Sequence, residues 1–323
     1  HLEYYRGNTI GWVEVEAELT APLGTSATGV GHRGIVVGGG APGGNTHMDF
    51  YNHSTLGSSA DFGDYYQAER NAGNGQAGNS TRMLILCGDL NPQGGPIHGN
   101  IASITIASTG QNADSGNDMT QARRLCAQFS NSTRACAAGG YEPTTNIIDF
   151  TTISSMSAGV DFGDLSSAAY FQAGSSSSTR GVIIKTNSTN TIEFVTISTT
   201  GDATDFGDTQ VVGQSLGLAN NSTRIVIAEG GSPSLTNTIS FITTATTGNA
   251  IDFGDIVGAS RRDGVGTSSP TRGVFSCGYD GSSFHDEQDA VELATTGNSV
   301  NFGDTTNGNR FRLSGGSSGH GGL

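Results

Sequence analysis

Lysine is almost absent from this 323-residue chain: Lys185 is the only one, and the formal net charge is −14. Binding along a nucleic-acid backbone depends largely on lysine and arginine side chains that neutralise phosphates. We therefore expect no nucleic-acid partner. The sequence also has no uninterrupted run of about 20 apolar residues, which is the length needed to span a bilayer as a helix. Membrane insertion is not expected either.

Cysteine is scarce, and the four cysteines show no spacing typical of a metal site. Cys87 and Cys277 each lie six residues after the threonine of a Thr-Arg pair, which predicts equivalent core positions in two repeats. Cys126 and Cys136 flank a turn at Asn131, a spacing that would let them face each other across a hairpin. The spacing allows a disulfide there, although two buried thiols are favoured.

Glycine, in contrast, is abundant, with 50 residues, while charged residues make up only 14% of the chain. Glycine and asparagine permit a positive φ, and serine, threonine and aspartate bond to the backbone of turns. No amphipathic window long enough for a helix is present. This composition predicts many short β-strands joined by tight turns.

One short motif, Asp-Phe-Gly-Asp, recurs along the chain every 44–53 residues. A period of this length indicates a repeat architecture. The copies are Asp61–Asp64, Asp161–Asp164, Asp205–Asp208 and Asp252–Asp255, with variants at Asn301–Asp304 and Asp114–Asp118.

Each repeat also contains a Thr-Arg or His-Arg pair that opens an apolar run. A second apolar run, the aspartate motif and a weaker returning strand such as 168–172 complete four antiparallel strands, the size of one propeller blade. We predict an all-β fold: a six-bladed β-propeller over residues 29–323, closed by a C-terminal strand at 309–313. The alternative is closure by residues 21–31. The arginines of the pairs are Arg33, Arg82, Arg134, Arg180, Arg224 and Arg272.

Residues 1–28 stand apart from the repeats. Two short strands about a Gly-Asn turn are predicted here, and the second contains valines that alternate with glutamates. We expect this separate β segment to serve attachment or oligomerisation, and the protein to be a homo-oligomer.

The glycine pairs that end several Thr-Arg strands, for example Gly38-Gly39, resemble kelch repeats. Ala245–Asp255 and its copies are more similar to tandem repeats in structural and tail proteins of bacteriophages, marine ones in particular. Leu2–Gly7 with Gly11–Val13 resembles a short element of phage fibre-like proteins. These resemblances imply a virion surface protein, such as a tail fibre, a receptor-binding protein or a capsid decoration protein. Its implied partners are other virion proteins, contacted through the N-terminal segment, and a host-surface glycan or protein.

Paired aspartates can bind Ca²⁺ or act as catalytic acids and bases, but both roles need several groups to converge on one point. Because these pairs recur once per repeat, we predict that they cap turns, with Ca²⁺ as the lesser alternative and no other cofactor. The Thr-Arg arginines are predicted to form ion pairs with them. The motif phenylalanines are predicted to pack between blades. The second aspartates of the motif are Asp64, Asp164, Asp208, Asp255 and Asp304.

Loops that break the repeat are better candidates for recognition, because loops on a rigid scaffold commonly carry function. The two longest follow the Thr-Arg strands of the second and sixth repeats, which flank the first in a closed ring. His98, Tyr279, Phe284 and His285 are predicted to form one patch there that contacts a sugar or a protein.

The function expected from the sequence is non-enzymatic: a virion structural protein that displays a binding propeller on the particle surface. The alternative is a secreted bacterial propeller, extracellular, that binds carbohydrate or protein. A glycan hydrolase is the third possibility, although no convergent set of acid and base residues is apparent.

Overall fold

In the computed structural model, the described residues fall into ten ranges. Within them the chain is all-β, which confirms the predicted fold class, and it contains no helix. None of the described residues therefore belongs to a helix long and apolar enough to cross a membrane. The ranges are 3–5, 12–14, 32–40, 45–90, 95–110, 112–186, 189–214, 217–231, 234–308 and 310–323.

The strands are numbered in chain order. The first fourteen are β1 (Glu3–Tyr5), β2 (Trp12–Glu14), β3 (Arg33–Val37), β4 (Asn45–Asn52), β5 (Ala60–Arg70), β6 (Asn74–Gly75), β7 (Arg82–Ile85), β8 (Gly88–Leu90), β9 (Ile97–His98), β10 (Asn100–Thr105), β11 (Ala113–Asp118), β12 (Ala127–Ser130), β13 (Arg134–Gly140) and β14 (Thr145–Thr152). The others are β15 (Val160–Asp164), β16 (Ala173–Ser176), β17 (Arg180–Ile184), β18 (Thr191–Thr196), β19 (Thr204–Asp208), β20 (Gly217–Asn220), β21 (Arg224–Ala228), β22 (Thr238–Thr243), β23 (Ile251–Asp255), β24 (Val265–Ser268), β25 (Arg272–Tyr279), β26 (Phe284–Glu292), β27 (Val300–Asp304) and β28 (Ser314–Ser317).

Four consecutive antiparallel strands form the recurring unit, as in β20–β23 and β24–β27. Two such units, β12–β15 and β16–β19, join into one nine-stranded sheet because the short strand β6 pairs in parallel with both β12 and β16. β7, β10 and β11 form a three-stranded sheet. The last strand, β28, pairs antiparallel with β3 in the sheet that also contains β4 and β5. The N-terminal pair, β1 and β2, is antiparallel as predicted. The stretch 21–31 lies outside the described residues.

Asparagine side chains stabilise the turns that lead into several Thr-Arg strands. Asn79 Oδ1 accepts hydrogen bonds from the backbone N–H groups of Thr81 and Arg82, at 3.0 and 2.9 Å. Asn131 and Asn221 make the same pair of bonds one and three repeats later. An asparagine that bonds to the backbone two or three residues on fixes a tight turn. Turn chemistry thus accounts for these Asn-Ser-Thr segments.

The returning strands lie further along the chain than predicted. The apolar stretches 168–172 and 309–313 were expected to be strands, but β16 and β28 begin just after them, at Ala173 and Ser314. Every residue of β12, β16, β20, β24 and β28 is buried, and these strands contact one another in sequence. Small residues predominate because neighbouring strands approach closely. We call these five strands the innermost strands. Because they consist mostly of small residues, they lack the alternating hydrophobic pattern by which strands are predicted.

The aspartate motif joins each repeat to the next. Its phenylalanine packs against the following repeat: Phe162, only 2% exposed, clusters with Ile183 and Val195. The carbonyl of the same residue accepts a 2.7 Å hydrogen bond from the N–H of Gly201. The prediction that these phenylalanines pack between repeats is confirmed. Equivalent bonds run from Gly110 to Phe62, Gly248 to Phe206, Gly297 to Phe253 and Gly57 to Phe302.

The Thr-Arg arginines also cross to the next repeat, but not to the motif carboxylates. Arg180, for example, lies over the ring of Phe194, 4.6 Å from its centroid, and donates a 2.8 Å hydrogen bond to the carbonyl of Thr244. The predicted ion pair with the aspartate motif is therefore wrong, since none of these arginines forms one within the described ranges. The other acceptors are the carbonyls of Ile106 for Arg33, Ile153 for Arg82, Ile197 for Arg134, Ala294 for Arg224 and His53 for Arg272.

The motif aspartates are largely exposed and take part in backbone capping. Asp61 Oδ1 accepts from the N–H of Gly63 at 3.1 Å, which is the predicted role. Elsewhere the backbone of the second aspartate is itself capped: the N–H of Asp208 donates to Oδ1 of Asn249 at 3.0 Å. Asp64 accepts a 2.9 Å bond from the hydroxyl of Thr46. Asp164, Asp255 and Asp304 are capped like Asp208, by Asp202, Asn298 and Ser58.

Buried ion pairs, which the sequence did not lead us to predict, hold the middle strands to the turns before the innermost strands. Arg123 and Asp149 are both completely buried and form one such pair. The acid lies in the centre of β14, the third strand of the unit β12–β15, and the arginine lies four residues before the innermost strand β12. Equivalent pairs are Arg310–Asp49 and Arg261–Asp289, and Lys185–Glu193 is a variant.

A disulfide joins Cys87 to Cys126 across two repeats. A hairpin disulfide between Cys126 and Cys136 therefore does not form, the favoured alternative of two buried thiols is wrong for Cys126, and Cys87 is not a free core thiol. Cys136 and Cys277 are buried free thiols, as expected. Cys126 precedes an innermost strand, which turns it toward the neighbouring repeat rather than across its own hairpin.

We expect Cys87→Ala to lower the free energy of unfolding by about 4 kcal/mol, because the disulfide closes a loop with a sequence separation of 39 in the unfolded chain. Urea denaturation measures this loss. Cys277→Ala, at the equivalent position without a disulfide, is the matched control and should lose about 1 kcal/mol. Equal losses in the two variants would show that no cross-link contributes.

Two buried histidines should make stability depend on pH. His53 bonds to Oγ1 of Thr267 at 3.0 Å, and His320 in the C-terminal stretch bonds to the carbonyl of Gly78 at 3.3 Å. Burial lowers the pKa of each from 6.5 to about 4. Between these values the unfolded chain binds protons that the folded chain does not, so stability falls as pH falls.

From pH 7.5 to 5.5 we expect a loss of about 3 kcal/mol for the two histidines together, measured by denaturant unfolding. The double variant His53→Gln/His320→Gln should show a much flatter dependence over this interval. His47→Gln, which replaces a half-exposed histidine, is the control and should retain the full slope. A double variant as sensitive to pH as the parent would contradict the assignment.

Candidate functional site

The turns before the innermost strands have an unusual backbone. Leu125, Phe171, Asp263 and Arg312 each lie two residues before an innermost strand and have φ between 56° and 58°. Residues other than glycine rarely adopt this left-handed conformation, and such strain persists only where the surrounding structure imposes it. It commonly marks functional sites.

These four residues line one cavity, which we call the strand-end pocket. The side chains come from the turns that precede all the innermost strands, so the pocket lies where the strands converge. Its lining consists of Ala72, Asn74, Leu125, Phe171, Gln172, Gln214, Asp263, Gly264, Arg312 and Leu313.

Unpaired amide groups are the distinctive polar feature of the strand-end pocket. Gln172 is only 1% exposed, yet neither its Oε1 nor its Nε2 has a hydrogen-bond partner among the described residues. Oδ1 of Asn74 and Oε1 of Gln214 are likewise buried and unpaired. Gly139, with φ of 59°, leaves room for the Gln172 amide, since a Cβ atom there would lie 2.4 Å from its nitrogen. These amide atoms have almost no exposed surface, so they lie within the packed wall of the pocket.

One cation and one anion face each other in the strand-end pocket. Nε of Arg312 lies 3.6 Å from Oδ2 of Asp263, and Nη1 donates a 3.2 Å hydrogen bond to Oδ1 of Asn71. Burial raises the pKa of Asp263, while the nearby Arg312 opposes that shift. Burial also lowers the pKa of Arg312, opposed by Asp263. The two charges balance, and the pocket lining has no net charge.

Six half-buried aromatic side chains form two groups that we call the aromatic rim, and one of the six, Phe171, also lines the strand-end pocket. One group contains Tyr279, Phe284 and Phe311, with the last two ring centroids 4.9 Å apart. The other group contains Tyr141, Tyr170 and Phe171, with centroids 4.8 and 5.4 Å apart along the series. The guanidinium of Arg312 joins the groups, because it lies over both Phe311 and Phe171, at 5.0 and 4.8 Å.

The structure brings together three of the four residues predicted to form a recognition patch. Tyr279 and Phe284 belong to the aromatic rim, with centroids 4.8 Å apart. His285, next in sequence, bonds to Oδ2 of Asp280 at 2.9 Å. His98 lies in a different sheet, where it pairs with Gly88 between β8 and β9. The loop that carries His98 folds into two short strands, β8 and β9.

Sequence reasoning missed most of the strand-end pocket. Phe171, Gln172 and Arg312 fall in stretches that were predicted as strands, which hid their role as turn residues. The available signal was that a bulky or charged residue lies two positions before four of the five innermost strands.

No group of three or more histidine, cysteine, aspartate or glutamate side chains in the described ranges is arranged to hold a metal ion. The Ca²⁺ alternative for the aspartate motif thus gains no support from its geometry. The motif copies lie in separate repeats, and their carboxylates do not converge.

Comparison with known proteins finds no matching family model and no curated protein with significant sequence similarity. The function must therefore be argued from the site itself.

Proposed function

We propose that residues 29–323 form a closed, six-bladed β-propeller. The support is one junction that recurs six times, with the last repeat joined to the first. The N–H of Gly57 donates to the carbonyl of Phe302 at 2.8 Å, and Arg272 donates to the carbonyl of His53 at 2.8 Å. β28 adds the remaining link by pairing with β3. A ring of this kind leaves no unpaired repeat at either end.

We propose that this propeller is a non-enzymatic binding module on the surface of a bacteriophage virion. The observation that carries the binding role is the aromatic rim, in which six half-buried aromatic side chains form two groups joined by Arg312. Tyrosine rings, which are apolar on their faces and polar at the hydroxyl, are enriched at interfaces. The virion setting rests on the resemblance of the tandem repeats to phage structural proteins. In this proposal residues 1–28 attach the module to other virion proteins and assist its oligomerisation.

Hydrolysis is less well supported. Most glycoside hydrolases use two carboxyl groups that flank the scissile bond. The strand-end pocket is lined by a single carboxylate, Asp263, which lies beside Arg312. This arrangement favours binding without turnover.

The proposed function is tested by labelling the full chain and measuring its binding to intact bacterial cells and to an array of surface glycans. Saturable binding with no release of reducing ends is expected. Release of sugar ends would replace the proposal with a hydrolase, and absence of binding to every cell and glycan would refute the recognition role. A secretion signal encoded upstream would favour the secreted bacterial propeller, whereas a capsid- or tail-anchoring region would support the virion setting.

A further inference from the structure

Four of the six repeats hold a phenylalanine ring under the guanidinium of their Thr-Arg arginine. In the third repeat Arg134 lies over the ring of Phe150, 4.5 Å from its centroid. Phe150 in β14 is directly opposite Val160 in β15. The second repeat differs and has Ser103 at this position. The other arginine–phenylalanine pairs, with separations of 4.5 to 4.6 Å, are Arg33–Phe50, Arg180–Phe194 and Arg224–Phe241.

The sixth repeat has an alanine in place of this phenylalanine. Ala290 in β26 is directly opposite Val300 in β27, the same register that Phe150 has in its own repeat. Among the described residues no aromatic ring lies under the guanidinium of Arg272, the Thr-Arg arginine of this repeat. Its Nε and Nη2 donate instead to Oε1 of Glu292, at 2.9 and 2.7 Å. The sixth repeat therefore keeps the arginine but lacks the ring.

A cavity of about 150 Å³, which we call the ring cavity, lies at this position. Arg272, Ala290 and Val300 line it, which are the positions of the arginine, the missing phenylalanine and the residue opposite. The rest of the lining is Val291, Glu292 and the turn 295–298. Val300 is 55% exposed, so the cavity is open to solvent, whereas Ala290 is buried and forms its floor. An apolar cavity of about 150 Å³ in a protein can hold a benzene molecule.

The inner side of the missing ring is replaced from the first repeat. Phe302, the motif phenylalanine of the sixth repeat, packs against Tyr51, with centroids 5.2 Å apart. The hydroxyl of Tyr51 is hydrogen-bonded to Oγ1 of Thr267, which holds the tyrosine deep in the junction. The lining of the ring cavity does not include Tyr51. The part that stays open is the outer one, beside Arg272 and Val300.

The polar groups of the ring cavity favour an uncharged aromatic ligand. Arg272 also donates from Nη1 to the carbonyl of His53 at 2.8 Å. Its hydrogen bonds lie along the edge of the guanidinium, so they leave the flat faces for stacking. A guanidinium over a ring face is attracted by the ring quadrupole, by about 0.5–2 kcal/mol. Glu292 already balances the charge of Arg272, and an anionic ligand would have to compete with it.

We propose that the ring cavity binds one uncharged aromatic ring, stacked on Arg272 and resting against Val300, where four other repeats supply a phenylalanine of their own. The ring belongs either to a free aromatic compound or to an aromatic side chain of another protein. The ring cavity is separate from the aromatic rim, because Ala290 lies six residues from Phe284 along β26, about 20 Å in a strand. The inference therefore does not depend on the proposed function.

The first experiment titrates the full chain with two neutral aromatic probes, benzyl alcohol and N-acetyl-phenylalaninamide, followed by ligand-observed NMR. Cyclohexylmethanol, a saturated ring, and benzoate, a charged one, are the comparison probes. At least one neutral aromatic probe should bind about fivefold more tightly than both comparison probes. No binding of either aromatic probe, or equal binding of a comparison probe, would overturn the inference. An amide that binds as tightly as benzyl alcohol would identify a protein side chain as the source, and its exclusion would identify a free compound.

Ala290→Phe tests the position, because it gives the sixth repeat the residue of the other four. It should abolish binding of benzyl alcohol. Val300→Asp, at an exposed wall where folding is not at risk, should weaken binding about tenfold and decides the matter if Ala290→Phe does not fold. Val160→Asp is the matched control, since Val160 is 52% exposed at the same position beside Phe150, and should bind like the parent. Binding that survives Val300→Asp, or that is lost equally in Val160→Asp, would overturn the assignment.

Discussion

Replacing Arg123 by methionine is expected to lower the free energy of unfolding by about 3–5 kcal/mol. Arg123 and Asp149 are fully buried, and the arginine also donates a 3.1 Å hydrogen bond to the carbonyl of Ala137. Without the guanidinium, Asp149 keeps the bonds from Thr120 but loses its countercharge. An uncompensated charge in the protein interior is among the most destabilising single changes.

Two comparisons identify the cause of that loss. The double variant Arg123→Met/Asp149→Leu removes both charges and should recover most of the stability, since a buried pair contributes little net stability over apolar residues. Glu292→Gln breaks the pair with Arg272, in which the glutamate is half exposed, and should lose less than about 1 kcal/mol. Urea denaturation gives all three values. A double variant as unstable as the single one would show that lost packing, rather than lone charge, is responsible.

Gly207→Ala should lower the free energy of unfolding by about 3 kcal/mol or more, because it affects both the backbone and a junction between repeats. Gly207 has φ of 147°, which strains any other residue. A Cβ atom there would lie 2.5 Å from the carbonyl oxygen of Gly248, part of the following repeat. The alanine would therefore push apart the strand of Phe206 and the turn that donates to it at 2.7 Å.

Gly248→Ala is the control for this prediction. Gly248 has nearly the same φ, 153°, but a Cβ atom added there meets nothing within 4 Å. It should lose only the backbone term, about 1–2 kcal/mol. Thermal and denaturant unfolding of the two variants separates the cost of backbone strain, which both share, from the cost of the steric clash, which only Gly207→Ala has. Similar losses of unfolding free energy in Gly207→Ala and Gly248→Ala would mean that the junction between repeats accommodates the added methyl group.

The period of the aspartate motif was enough to predict an all-β repeat protein, and the packing of Phe162 between repeats followed from its position. Ala173–Ser176 and Ser314–Ser317 escaped prediction because burial on all sides selects small residues, which carry no alternating pattern. Arg180 was predicted to form an ion pair with the aspartate motif, whereas its acceptor is the carbonyl of Thr244 in the next repeat. Every residue has a backbone carbonyl, so the sequence does not indicate which one accepts the hydrogen bond of the arginine. An aspartate side chain, in contrast, is visible in the sequence as a partner for arginine.

The candidate site was predictable only in part. Tyr279 and Phe284 stood out because they interrupt the repeat, and they do lie together. Gln172 and Asp263 belong to the pocket only through the convergence of several strand ends, which depends on the arrangement of the whole chain. Only one sequence feature indicated the buried pair of Arg123 and Asp149: an acidic residue within an otherwise apolar strand.

The pairing of β28 with β3 affects the order in which the protein can mature during synthesis. β3 and its partner Ser314–Ser317 are far apart in the chain: Arg33 and Ser318, which are hydrogen-bonded next to this pairing, are 285 residues apart. Until the ribosome has released that stretch, one side of β3 has no strand beside it, while later repeats already have their own. Contacts between such distant parts of a chain form slowly. The contact between β3 and Ser314–Ser317 is therefore expected to be among the last of the described contacts to form.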